Sequence, residues 1–161
     1  MDFQKNYQSW LDSAYVDAQT REELLAIAGD KKEIEERFYK DLEFGTGGMR
    51  GIIGAGTNRM NRYVIRKASQ GFAKYILERN ARTEPSIVIA YDTRRFSKEF
   101  ALEAALVMAA NGIKAYTYEG VRTTPELSFA VRHLNASAGI VITASHNPPE
   151  YNGYKVYGED G

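Results

Sequence analysis

The chain of 161 residues has no cysteine. That removes disulfides, thiolate metal sites and a thiol nucleophile together. It has no excess of either charge, with 21 Lys plus Arg against 21 Asp plus Glu. Nor is there a basic block, so nothing marks a nucleic-acid or anionic-membrane partner, although a local basic pocket for a small anion stays open. No apolar run is long enough to span a bilayer; the most apolar helical stretch, Ala101 to Ala110, is short and contains Glu103. The opening MDFQKNYQSW lacks the apolar core of a signal peptide. The two histidines, His133 and His146, lie far apart without helical spacing and make no metal pair. The expectation is a cytoplasmic protein with neither nucleic acid nor membrane as partner. What is present, 43% hydrophobic and 26% charged residues, is ordinary for a globular domain with a real core.

Residues 1–40 read as a polar helical arm. Phe3, Tyr7, Trp10 and Leu11 recur at helical spacing and form one apolar stripe. It is expected to pack on a further domain or a partner chain. Thr20-Arg-Glu-Glu23 reads as a capping box, Gly29 as a stop, and Asp30 as the cap of a further helix. From residue 41 to 161 strands alternate with helices. Asn61 caps a helix with Val64, Ala68, Phe72, Tyr75 and Ile76 on one face. Ser86–Tyr91 is a buried strand, Ser97 caps the next helix and Gly112 closes it. Ile113–Tyr118 is a second strand, Thr124-Pro125 opens another helix, and Gly139–Ile142 and Tyr154–Tyr157 are further strands. This alternation predicts an α/β domain with a largely parallel sheet. The last residues, Gly-Glu-Asp-Gly161, are a turn signal with no element after it. The expectation is a piece of a longer, multi-domain chain.

Directly after the third strand comes Thr143 to Asn152, TASHNPPEYN. Chemistry in open α/β sheets gathers beyond the carboxyl ends of the strands, and Ser145 lies on that rim. Pro148 and Pro149 stiffen the loop and push Asn147 toward an extended conformation. A stiff loop holds a hydroxyl in place at low entropic cost. The bland reading is that Ser, Asn and Pro are simply turn residues. A serine hydrolase is a weak reading. Neighbours in an extended segment point opposite ways, so His146 is badly placed to deprotonate Ser145, and the Gly-x-Ser-x-Gly elbow is absent. Asn152-Gly153 reads as a tight turn that returns Lys155 toward the serine. Lys155 could neutralise an anion or move a proton, or be an ordinary surface lysine.

Glycines cluster in FGTGGMRGIIGAG, Phe44 to Gly56. The spacing matches neither Gly-x-Gly-x-x-Gly nor a P-loop. Amides of a glycine-rich turn at Gly47 and Gly48, with the fork of Arg50, suit a phosphate-bearing group. The alternative is a loop crossing the sheet edge where only glycine fits. Asp92-Thr-Arg94, past Tyr91, lies on the same rim, where an ion pair bracing a loop is the simpler role.

TASHNP followed by NGYK resembles the active-site serine loop of the α-D-phosphohexomutases. FGTGGMRG and DTR resemble other first-domain segments of that family. LEFGTGGMRGIIGAGTNRMN with its helical arm is closest to the phosphoglucomutase and phosphomannomutase branch. The match runs from about Leu42 to the end. The resemblance implies the first of four domains, a three-layer α/β/α sandwich with a mixed, mostly parallel sheet. It implies that Ser145 carries a phosphoryl group, donates it to a sugar phosphate and recovers it from a hexose 1,6-bisphosphate intermediate, which also serves as activator. It implies Mg²⁺ bridging the phosphoserine, so that Ser145 would touch metal only through its phosphate. Lys155, Arg50 and His146 match residues that assist proton transfer and charge stabilisation. Thr143, Asn147, Gly47, Gly48 and Arg94 match the substrate- and phosphate-binding surroundings. The family's Asp-Gly-Asp-x-Asp-Arg metal loop, sugar-selecting loop and distal phosphate loop are missing from these residues. The expected partners are therefore a sugar phosphate and the remaining domains of a parent chain, and the isolated chain is expected to be inactive. A non-catalytic phosphate-binding or assembly module on the same fold is the competing reading. Glucose, mannose, glucosamine or pentose phosphate preference is not legible, though the branch favours glucose.

Overall fold

The computed structural model describes residues 2–46, 48–79 and 84–161. Three short helices come first, each opened by an aspartate: α1 (Phe3–Asp12) by Asp2, α2 (Ala18–Ala26) by Asp17 and α3 (Lys31–Phe38) by Asp30. A carboxylate at this position accepts otherwise orphaned helix amides. The capping box expected at Thr20 is corrected: Asp17 Oδ1 accepts from the Thr20 amide at 2.8 Å, placing Thr20 inside the helix. Glu23 does not reach back to a cap because it is engaged elsewhere, accepting from the Ala55 amide at 3.0 Å and from Arg37.

Within the chain the apolar stripe of the arm packs on its own helices, with Tyr7 buried and Phe3, Trp10 and Leu11 half-buried. Tyr7 donates its hydroxyl to the Leu24 carbonyl at 2.9 Å. Tyr7 and Trp10 both meet Phe38 edge-on at 5.7 Å, and Trp10 meets Tyr63 at 5.2 Å. Edge-to-face contacts of this kind add to simple area burial. Leu24 and Phe38 are fully buried, with Ala55 closing the cluster from the glycine segment.

The second part runs β1 (Met49–Ile52), α4 (Arg62–Arg79), β2 (Ser86–Tyr91), α5 (Ser97–Ala110), β3 (Lys114–Thr117), α6 (Thr124–His133), β4 (Ala138–Ile142) and β5 (Tyr151–Tyr157). The sheet order is β1-β5-β4-β2-β3. β2 pairs in parallel with β3 and β4, while β5 runs antiparallel between β4 and β1. The sheet is thus mixed and mostly parallel. Ile87, Ile89, Ile140, Ile142 and Tyr154 face α4 and α5 in one core. Val88, Ala90 and Val141 face Leu127 and Val131 of α6 in another. Because both faces of β2 and β4 are covered, their sequences read as continuous apolar runs and do not alternate. Three layers, α/β/α, result.

Three local expectations are corrected. The glycine segment holds an edge strand, β1, that its composition hid. Ser97 does not cap α5: the preceding Phe96 occupies the left-handed region at φ 61°, and the Ser97 hydroxyl donates to Asp92 Oδ1 at 2.7 Å. Asn152-Gly153 makes no turn; both lie in β5, and the chain reverses earlier, over Ser145 to Glu150. Among the described residues no helix is long and apolar enough to cross a membrane.

Candidate functional site

The loop joining β4 to β5 is built by its own short hydrogen bonds. Thr143, buried at the end of β4, accepts from the Ser145 amide at 3.0 Å through Oγ1. The Asn147 amide donates to the Ala144 carbonyl at 3.1 Å. Between them Ser145 is held at φ 57°, in the left-handed region that residues with a Cβ rarely occupy. Ser145 and His146 are exposed. The extended geometry assumed for this segment is therefore corrected to a turn, and no hydrogen bond joins His146 to Ser145.

Below the loop, Asn152 is fully buried. Its side-chain amide donates to the Arg95 carbonyl at 2.9 Å and to Ser97 Oγ at 3.0 Å, and its oxygen accepts from the Gly153 amide at 2.8 Å. Since Ser97 in turn donates to Asp92, a chain of polar contacts ties the end of β2 to the start of β5. Every buried side-chain polar atom along it is paired, as a low-dielectric interior demands. Gly153 is glycine for proximity: a Cβ there would lie 2.6 Å from the Thr143 carbonyl and 2.9 Å from that of Met49.

The cations come from β1 and β5. Tyr154 is buried on the α4–α5 face, and desolvation pushes its phenol well above the usual range despite its bond to Ser69. Strand alternation then sends its neighbours Gly153 and Lys155 to the opposite face. Arg50 pairs with Gly153 across the β1–β5 ladder and shares that face. α6 lies over β2 and β4, and on the β5–β1 side Arg50 is exposed while Lys155 is half-buried. Arg50 donates to Asn147 Oδ1 at 3.2 Å, joining the glycine segment to the serine loop. Neither Arg50 nor Lys155 has a carboxylate partner among the described residues. Gly48, at φ 123°, packs against the Lys155 stem and the Tyr154 carbonyl, where a Cβ would stand 2.5 Å from that oxygen. Gly47 lies outside the described residues.

Arg94, read as a phosphate contact or as half of an ion pair bracing the loop, directs its donors to protein. One terminal nitrogen donates to the Pro148 and Tyr151 carbonyls at 2.8 and 3.1 Å, the other to those of Ser145 and Asn147 at 2.9 and 2.6 Å. Its Nε faces Asp92 Oδ2 at 3.5 Å. The geometry gives this side chain to the loop. Beside Thr143 a small cleft of about 290 Å³ runs past Asp92, Thr93, Arg122 and Thr123. A larger groove of about 1180 Å³, along α4 and the end of β5, is lined by Phe44, Phe72, Tyr75 and Val156 and lies away from the serine. Among the described residues no three His, Asp or Glu side chains gather to hold a metal. The Ser145 hydroxyl does not by itself make a Mg²⁺ site.

Residues 41–161 match the family model for phosphoglucomutase/phosphomannomutase, alpha/beta/alpha domain I. The chain therefore belongs to the phosphoglucomutase/phosphomannomutase family and carries its first α/β/α domain. It is 51% identical over 130 residues to a phosphoglucomutase of Staphylococcus epidermidis, covering 81% of this chain and 23% of that protein. It is 52% identical over 134 residues to a phosphoglucomutase of Staphylococcus aureus, covering 81% and 24%. Among solved structures, a Thermus thermophilus protein described as a phosphomannomutase superposes with a TM-score of 0.68 at 35% identity, covering 74% of this chain and 26% of that one. A Burkholderia thailandensis phosphoglucomutase/phosphomannomutase family protein gives 0.62 at 26% identity, covering 73% and 26%. The chain thus spans about a quarter of the length of the relatives it matches.

Proposed function

We propose that this chain is the phosphoryl-carrying domain of a phosphoglucomutase-type enzyme, with Ser145 as the carrier. The observation that supports it most is the pairing of an exposed hydroxyl, fixed on a strained turn, with two cations that no carboxylate neutralises among the described residues, Arg50 and Lys155. Phosphoryl transfer requires little covalent help from protein and much positioning and positive charge. In the forward half-reaction the phosphoserine P–Oγ bond breaks and a P–O bond to a sugar-phosphate hydroxyl forms. The proton of that hydroxyl leaves to a base while the departing Ser145 oxygen takes up a proton, so the half-reaction conserves protons, and Lys155 and His146 are the candidates on this chain for these transfers. Arg50 faces the charge on the phosphoryl oxygens. The bisphosphate then turns and returns its other phosphate to Ser145. Mg²⁺ would meet this chain only through the serine phosphate, its other ligands being supplied elsewhere in a longer protein, so the 161-residue chain alone turns over no hexose phosphate.

The test is intact mass of the full-length parent protein after incubation with glucose 1,6-bisphosphate. A single phosphate adduct, absent from Ser145→Ala, is expected. No adduct on folded wild-type protein would leave the non-catalytic phosphate-binding module as the better reading. Covalent labelling of Ser145 by a serine-directed phosphonate would instead indicate a hydrolase.

A further inference from the structure

We propose that Arg94 is the positioning residue of the serine loop, a clasp that holds Ser145 on its left-handed turn, and that it does not bind the substrate phosphate. Its guanidinium stands behind the loop with 14% of its side chain exposed. Carbonyls of Ser145, Asn147, Pro148 and Tyr151 converge on its two terminal nitrogens. A planar fork can satisfy such a set at once, whereas a lysine ammonium is a point donor with tetrahedral directions. The base of the fork is fixed in turn. Asp92 faces Nε through Oδ2, while its Oδ1 accepts from the Arg94 amide at 2.9 Å and from the Ser97 hydroxyl at 2.7 Å.

The direction of the pull matters. Drawing carbonyls inward turns the exposed side of the loop toward donors. The His146 amide finds no acceptor among the described residues and is free to face an anion. Pro148 and Pro149 supply no amide of their own and stiffen the limb that Arg94 holds. Without the fork, four carbonyl oxygens would face one another across an emptied space. The left-handed turn at Ser145 would lose the contact that over-determines it.

The catalytic arm of the test rests on reading Ser145 as the phosphoryl carrier; the structural arm does not. In the full-length protein, Arg94→Ala is compared with Arg94→Lys for turnover and for amide hydrogen exchange over residues 144–151. A misplacement of about an ångström at a reacting atom costs on the order of 100-fold in rate. We expect kcat to fall by about that factor with KM little changed. Exchange over 144–151 should accelerate while β2 and α6 keep their protection. Low-millimolar guanidinium should restore both readouts to Arg94→Ala, and equal potassium or ammonium should not. Arg94→Lys, with its charge kept, should remain impaired. If Arg94→Ala does not fold, the exchange profile of Arg94→Lys decides. A rise in KM with kcat intact, wild-type activity in Arg94→Lys, or unchanged loop exchange would overturn the clasp. A wild-type protein with no mutase activity would instead remove the functional reading and leave the exchange arm to judge Arg94.

Discussion

Gly153 offers the sharpest perturbation, because what a methyl group would meet there is backbone on two strands. The added Cβ of Gly153→Ala would sit 2.6 Å from the Thr143 carbonyl, 2.9 Å from the Met49 carbonyl and 3.1 Å from Arg50 Cγ. The arginine stem can swing away; the two carbonyls are held by the sheet. Overfilling a packed site costs about 1–3 kcal/mol, and with backbone on both sides the upper figure applies. Alanine also narrows the unfolded ensemble, which offsets about 0.4–1 kcal/mol. The net loss is about 2 kcal/mol. With a urea m-value of about 2 kcal/mol/M for a chain of this size, the midpoint should fall by about 1 M. Gly71→Ala is the internal control. Gly71 lies in α4 with nothing within 4 Å of its missing Cβ, so the same change should stabilise by roughly 0.5–1 kcal/mol. Urea unfolding of both variants by far-UV circular dichroism separates the cases. A Gly153→Ala midpoint at or above wild type would refute the close-approach account of this glycine.

Other outcomes follow from contacts already described. Phe38→Ala removes the ring on which Tyr7 and Trp10 both rest, and should cost about 3–5 kcal/mol in thermal or urea unfolding. Burial pushes the Asp17 carboxyl up, but hydrogen bonds from Thr20 and Tyr63, with Arg62 nearby, hold it below its ordinary value. A depressed carboxyl contributes stability that is full above about pH 4 and lost as pH falls through the folded value. Tyr63→Phe, which deletes the 2.7 Å donation to Asp17, should cost about 1–2 kcal/mol at neutral pH and shrink that acid-side loss in a pH series of melting curves. Asn152→Ala removes the donor to the Arg95 carbonyl, one of the two partners of the Ser97 hydroxyl and the acceptor of the Gly153 amide, and should destabilise the fold by about 1–3 kcal/mol in thermal unfolding.

The strands that hold the parallel core were legible because they are buried on both faces and bounded by breakers, as Ser86–Tyr91 after Glu84-Pro85 shows. The helix opened by Asn61 was legible for a similar reason: its cap oxygen accepts from the Tyr63 and Val64 amides. β1 was not, because an edge strand of Met-Arg-Gly-Ile carries too few β-branched residues to outweigh the glycines around it. Asn-Gly at 152–153 misled because its turn preference is local, whereas a buried hydrogen-bond set and a steric requirement fix both residues in a strand. The resemblance to a mutase serine loop named Arg50 and Asn147, which a hydrogen bond joins. It did not show that the fork of Arg94 is consumed by carbonyls, since acceptors on the backbone leave no trace in residue identity.

The position of β5 has a consequence for how the protein is made. β1 appears early in the chain but has no partner until the last strand exists, and Arg50 and Asn147 are separated by 97 residues. Pairings of such long range are closed late, after local helices and the β2–β3–β4 core can already have gathered. On the ribosome, β1 and its glycines wait as an unpaired edge until β5 inserts. Arg50 is therefore joined to the loop that carries Ser145 by the same event that pairs β1 with β5. In a nascent chain the contact between Arg50 and the serine loop cannot form before β5 is in place.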